Sequence, residues 1–279
     1  MASLQVLRKR YKSIQATADM ALAMKTSSSV KFTKISRYLT AVNAYSKVCD
    51  EALELFGNDV LGRKTDTVKN RTCIVVFSND RGFCGGFNGE LLRFFDEQYT
   101  QENDPLLIVQ GKKAHIFCKA REYEFEKLDI PDIPSYQDAE ALTERLFEIY
   151  ASGEAEKVDL IYQRFDNMLK QTPVRETILP RKKSGETGEE RDILFLPDRK
   201  TALETPARYC LINSIYRIML GHAAGAQAAT SIAMRSACDN ADKSLEKLEI
   251  LINRIRQAEV TNSVIETSSY INAQPGTQN

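Results

Sequence analysis

The stretch LRKRYKSIQATADMALAMKTSSSVKFTKISRYLTAVNAYSKVCDEALELF, residues 7–56, decides the fold. Alternate steps of four and three residues from Leu7 reach Tyr11, Ile14, Ala18, Ala21, Lys25, Ser28, Phe32, Ile35, Leu39, Val42, Ser46, Cys49, Leu53 and Phe56. All of these but Lys25, Ser28 and Ser46 are apolar, and the pattern is sustained for seven heptads. A mean spacing of 3.5 residues keeps one apolar stripe facing a partner helix over any length, so it selects a coiled-coil seam over an ordinary amphipathic helix. The helix is placed at residues 1–57, with Gly57-Asn58 as its stop. At ~1.5 Å per residue it is a rod roughly 80 Å long, too long to lie within a globular domain built from the rest of the chain, from which it must project.

The partner helix is at the other end. Residues 1–104 and 207–274 contain no proline, while seven of the eight prolines fall between Pro105 and Pro206. From Pro206 onward Ile212, Ile215, Met219, Ala223, Ala226, Ala233, Ala237, Ala241, Leu245, Leu248, Ile252 and Ile255 keep one face apolar, which places a second helix at 206–272. Its alanines make part of that face thin, and the thin part is expected opposite the bulky Phe32–Phe56 half of the first helix. Both helices leave one central domain, so they are expected to run antiparallel as a shaft.

That domain, 68–200, reads as α/β. Thr72–Phe77, Leu106–Gln110, Val158–Phe165, Val174–Leu179 and Ile193–Leu196 are strand-like, and Gly89–Tyr99, Lys112–Ala120 and Gln137–Ser152 are helical. The alternation predicts a small open, mostly parallel, Rossmann-like sheet, with Arg181–Arg191 as an exposed loop.

Composition excludes several classes of function. Thirty-eight basic residues balance 38 acidic ones, which argues against a bulk nucleic-acid binder. No apolar run approaches the ~18 residues that span a bilayer, and the N-terminus lacks the apolar core of a secretory signal. Six scattered cysteines and two distant histidines, His115 and His222, supply no spaced zinc site and read as thiols in a reducing compartment. The zero is an average, however. Residues 1–56 carry +5, residues 57–205 −6 and residues 206–279 +1. Up to Lys47 the only acid is Asp19, so the first helix is expected to meet an acidic partner. Its aromatics Tyr11, Phe32, Tyr38 and Tyr45 are read as mostly on the seam, which weakens a nucleic-acid role.

Two loops invite chemistry. Gly57–Thr65 has an arginine inserted in the phosphate-loop spacing and follows a helix where a strand is required, so it is set aside. The loop Ser78-Asn79-Asp80-Arg81-Gly82-Phe83-Cys84-Gly85-Gly86-Phe87-Asn88 lies between a strand and a helix, where open sheets bind ligands. Its glycines miss the dinucleotide spacing, and Cys84 as a nucleophile has only His115 as a base, without an orienting group. The favoured reading is a structural turn formed by Asp80, Arg81, Gly82, Cys84, Gly85 and Gly86, with no catalytic residue, cofactor or metal.

Three blocks in order give the chain a resemblance to the gamma subunit of F-type ATP synthases along nearly its whole length. They are Ala2-Ser3-Leu4 with Arg8–Ile14 and Ala23-Met24-Lys25; the loop Asn79–Asn88; and Cys238–Ala241 with Asn253–Thr261. The resemblance implies a non-catalytic rotor shaft within a ring of alpha and beta subunits, with the α/β domain on the epsilon subunit and the membrane c ring. It implies that Arg256 and Gln257 engage a catch loop on beta, with Met24 and Lys25 facing beta's acidic lever segment. The basic shaft residues Arg8, Lys9, Arg10 and Lys12 then have an acidic counterpart. It also implies a peripheral protein on the cytoplasmic face of a bacterial membrane, attached only through the complex.

The chain departs from the family pattern in places. Ala226-Gln227-Ala228-Ala229-Thr230-Ser231 lacks an acid and a base that the family usually has there. Cys238 replaces a threonine, Leu196 replaces a glutamate near the c-ring contact, and the end reads Thr267–Ala273. The chloroplast-type insertion is missing, so thiol control is not expected. These departures leave as alternatives a divergent gamma-like subunit of a related rotary ATPase and a coiled-coil adaptor. An enzyme built on Cys84 is the remaining rival.

Overall fold

The computed structural model describes residues 4–56, 69–180 and 198–273. The elements run α1 (Leu4–Phe56), β1 (Thr72–Phe77), α2 (Phe87–Tyr99), β2 (Leu106–Gln110), α3 (Lys112–Ala120), β3 (Glu126–Leu128), α4 (Tyr136–Ala151), β4 (Lys157–Phe165), β5 (Gln171–Leu179) and α5 (Arg199–Ala273). They divide between two compact units, residues 1–26 with 233–279 and residues 27–232.

The heptad seam is present without a break. From Leu7 to Cys49 no seam residue is exposed, and apart from Met24, Lys31 and Ser36 every residue between them is. In the first unit Cys238 Sγ donates to the Ala18 carbonyl at 3.9 Å. Leu7 and Leu248, on the same two helices, are both buried. In the second unit the Ser29 and Ser231 hydroxyls meet at 3.0 Å, and Asn213 Nδ2 donates to Ser46 Oγ at 2.7 Å, so the helices run antiparallel. There Ile35 is fully buried against Leu220, Ala223 and Ala224, flanked by Phe32, Leu39 and Val42.

Three expectations about the helices are corrected. Only the first alanines of the thin stretch, Ala223 and Ala224, meet the Phe32 half of α1; Cys238 stands at Ala18, well outside that half. Tyr38 and Tyr45 are not on the seam but 43% and 52% exposed. α5 starts at Arg199, not Pro206, with the Ala202 N–H bonded to Asp198 at 3.0 Å, and Pro206 lies inside it.

The sheet has the order β3-β2-β1-β4-β5, parallel except for β5, which runs antiparallel to β4. Alternation along β1 divides its side chains between two layers. Cys73, Val75 and Phe77 face α4 and the first half of α5, whereas Ile74 and Val76 face Leu91 and Phe95 of α2 and Ala114 and Cys118 of α3. β3 escaped the sequence reading because Glu126-Lys127-Leu128 has no apolar run. It is an edge strand whose place rests on backbone pairing with β2. The expected strand Ile193–Leu196, the loop Arg181–Arg191, the Gly57–Thr65 stretch and the helix stop at Gly57 lie outside the described residues.

β5 is held to β4 by charge as well as by backbone. Asp159, fully buried, receives Arg175 Nε at 2.7 Å and Lys157 Nζ at 2.8 Å, and Arg175 continues to Glu102 of the α2–β2 loop. Burial raises the Glu102 carboxyl, but bonds from Arg175 and Thr72 outweigh it and hold the group below its usual range. Arg175→Met should therefore leave a buried carboxylate with only Lys157, at a cost of about 2–4 kcal/mol. Urea denaturation measures this, and a midpoint equal to that of the unaltered chain would refute it.

Candidate functional site: the glycine-rich loop and the helical pair

The loop after β1 is a braced turn. Asn88, in the first turn of α2, accepts the Asn79 N–H at 3.0 Å and donates to the Arg81 carbonyl at 3.2 Å and to Cys84 Sγ at 3.3 Å. Left-handed backbone occurs at Phe83 (φ 62°) and Gly85 (φ 59°), whereas Gly86 is helical at φ −76°. Burial pushes the Cys84 thiol up, away from the thiolate a nucleophile needs. His115, the base considered for it, is committed elsewhere: its Nε2 meets the Val109 carbonyl at 2.9 Å and its ring stacks on Phe125.

One place where this kind of sheet holds a phosphate, the start of α3, is taken by a carboxylate of the chain itself. Asp80 Oδ1 accepts the Lys112 N–H at 2.9 Å, at the start of α3. In the first turn of α2 a Cβ on Gly86 would come within 2.7 Å of Glu90 Oε1. Helix N-termini favour anions, and that of α3 has one in Asp80. Beyond the carboxyl ends of β1 and β2 a small crevice, open to solvent, is lined by Ser78, Asp80, Gln110, Asp132 and His222. His222 Nδ1 accepts the Gln163 N–H at 3.2 Å, so the proton sits on Nε2, which has no partner among the described residues. Burial lowers its pKa to about 3, so the ring is neutral.

The loop also reaches α5. Cys84 and Phe87 pack on Ala226 and Ala229, and a Cβ on Gly225 would stand 3.2 Å from the Phe87 ring. Small residues at 225 and 226 are what this close approach requires.

The other sequence-derived residues lie on the helices of the first unit. Arg8, Lys9, Arg10 and Lys12 are exposed on α1, and Arg256 and Gln257 are exposed on α5. Met24 and Lys25 are half-buried, Lys25 on the seam itself. The Ala18–Cys238 register puts Lys25 and Arg256 some 25 residues apart along the pair, ~37 Å. Met24 and Lys25 thus do not share one patch with Arg256 and Gln257, which lie nearer the level of Arg8–Lys12. Two residues that sequence reasoning did not single out form an ion pair beside the loop. They are Asp132, whose flanking Pro131 and Pro134 mark a stiff segment, and its partner Lys31.

An antiparallel two-helix pair packed on an open, mostly parallel sheet, with the start of α3 met by the chain's own Asp80, defines a coiled-coil protein with an α/β layer. A family model described as ATP synthase matches residues 3–273. The ATP synthase gamma chain of Moorella thermoacetica is 31% identical over 95% of this chain and 97% of its own length. That of Clostridium perfringens strain 13 is 30% identical over 98% and 99%. The chain belongs to this family, among the ATP synthase gamma chains. Its fold is also that of a rotor chain in the Euglena gracilis mitochondrial ATP synthase, with a TM-score of 0.68 at 16% identity over 92% of this chain and 98% of that one. A chain of the Tetrahymena thermophila central stalk and c-ring gives 0.57 at 20% identity, over 78% and 99%.

Proposed function

We propose that the chain is the central rotor shaft, the gamma subunit, of an F-type ATP synthase, and couples ion flow through a membrane c ring to ATP synthesis or hydrolysis on beta subunits. The observation that carries this reading is the agreement with gamma chains over nearly the full length of both chains, in a molecule whose two end helices form an antiparallel pair. In this reading residues 1–57 and 206–272 are the shaft and 68–200 the base. The shaft turns inside a ring of alpha and beta subunits, and the base carries the epsilon subunit and the c ring. The chain has no catalytic site of its own, a reading supported by Asp80 at the start of α3 and the raised Cys84 thiol. In this reading the chain attaches to the cytoplasmic face of a bacterial membrane through the complex alone; among the described residues no helix is long and apolar enough to cross a membrane.

Exposed charge suits a part that must turn, since each exposed pair is worth only ~0–1 kcal/mol. Arg8, Lys9, Arg10, Lys12, Arg256 and Gln257 are the residues offered to the ring, with Met24 and Lys25 at a second level. Mixed with alpha and beta subunits, the chain should yield a stable assembly that turns over ATP; failure to co-purify would end the proposal. Arg256→Glu should lower ATP synthesis on the order of tenfold, as loss of an anchoring arginine does, with thermal unfolding unchanged. An unfolded variant would contradict the exposed position of Arg256.

A further inference from the structure

Both helices of the second unit are gripped at one level. Ser29 stands opposite Ser231, which sets Lys31 of α1 level with Ala229 of α5. At that level Cys84 and Phe87 close on Ala226 and Ala229, and Gln171 closes on Gly225. On the α1 side Lys31 Nζ meets Asp132 Oδ2 at 2.5 Å, with both side chains only about a quarter exposed, at 26% and 25%. Arg81 Nη2, from the glycine-rich loop, lies 3.9 Å from the same carboxylate oxygen.

Asp132 is held stiffly. It sits in Ile130-Pro131-Asp132-Ile133-Pro134-Ser135, between β3 and α4, where the two prolines fix their own φ. Ile130 packs into the core under α4 and α5, and Ile133 packs with Phe32 and Ile35. Ser135 ends the segment in a capping box, with the Asp138 N–H on its hydroxyl at 3.2 Å and its own N–H on Asp138 Oδ2 at 2.8 Å. The loop side is equally constrained through Asn88 and Asp80.

We infer that the glycine-rich loop and the Pro131–Pro134 strut form a collar around the helical pair, in which Asp132 is a positioning residue that fixes the rotational setting of α1 on the α/β layer. Apolar contacts are non-directional, so a seam of similar side chains alone permits small rotations and slips. An ammonium and a carboxylate in contact define one azimuth and one height, and partial burial weakens their screening by salt. Phe32 against Phe165, with ring centroids 5.8 Å apart, supplies the apolar stop beside them. The consequence for rotary coupling rests on the shaft reading; the collar itself does not.

The test places spin labels on the full chain at exposed Lys34 of α1 and Lys119 of α3 and measures the distribution of distances between them. The unaltered chain should give one narrow distribution. Asp132→Asn, which keeps shape and removes charge, should broaden it, as should Lys31→Gln on the helix surface, while Asp132→Glu should restore most of the narrow population. In an assembly with alpha, beta and membrane subunits, Asp132→Asn should lower the ratio of ATP synthesis to ATP hydrolysis roughly fivefold, the upper range for one ion pair. A narrow distribution in both Asp132→Asn and Lys31→Gln overturns the collar, and so does equal broadening by Asn and Glu. Should the unaltered chain fail to assemble, the shaft reading falls, while the distances still decide the collar.

Discussion

Gly111→Ala is expected to cost about 4 kcal/mol or more of folding stability, from backbone strain and overlap together. Gly111 joins β2 to α3 with φ 89° and ψ 144°, a conformation nearly closed to residues with a Cβ. A Cβ there would lie 2.2 Å from the Ser78 carbonyl oxygen and 2.5 Å from Ser78 Oγ. Neither can retreat cheaply. Ser78 N–H donates to the Gln110 carbonyl at 3.0 Å, and Ser78 Oγ donates to that same carbonyl while accepting the Ala114 N–H at 3.0 Å. Relief of the overlap would break the joint that holds the ends of β1 and β2 together and starts α3. Gly85→Ala is the control. Its φ is 59°, but nothing lies within 4 Å of the added carbon, so it should cost only about 1 kcal/mol. Urea denaturation of the two variants separates them, and equal losses would show that the close approach to Ser78 does not matter.

Legibility in the sequence followed the range of the interaction. The seam of α1 and the bounds of β1, β2 and α3 were readable because periodicity is local and burial obeys it. β3 was not, since Glu126-Lys127-Leu128 has a single apolar residue and is placed by backbone pairing with β2. Register between the helices was not readable either. A heptad pattern is unchanged by a shift of seven residues, so the sequence cannot choose which alanines meet Phe32, nor how far Lys25 stands from Arg256. Tyr38 and Tyr45 were placed on the seam by residue type, although neither falls on the four–three steps. Of the candidate site, the turn after β1 was legible, whereas the engagement of His115, the one base considered for Cys84, with Val109 and Phe125 was not. The Lys31–Asp132 pair was not, because its members lie 101 residues apart and neither belongs to a recognisable motif.

His222 should make stability depend on pH in a window that no exposed histidine would give. Its ring is buried between Phe77 and Phe87 and is neutral, with a pKa lowered to about 3 by burial. In the unfolded chain the same ring binds a proton below about pH 6.5. The unfolded state therefore holds the extra proton between about pH 6.5 and 3, and stability falls as pH falls through that range. Above pH 6.5 both states are neutral and the contribution is flat. At 1.36 kcal/mol per unit, the loss attributable to this ring is about 2 kcal/mol at pH 5 and about 4–5 kcal/mol at pH 3. The interval from pH 7.5 to 5 isolates it, because the lowered Glu102 carboxyl stays ionised there and loses its contribution only as pH falls further. His222→Gln, neutral at every pH, is the informative variant. It should start less stable at pH 7.5, having lost the ring's packing, yet hold a nearly constant urea midpoint down to pH 5, where the unaltered chain declines. Parallel declines in the two proteins would mean that His222 takes up its proton without unfolding, and the crevice would then have to admit enough water to solvate a charged ring.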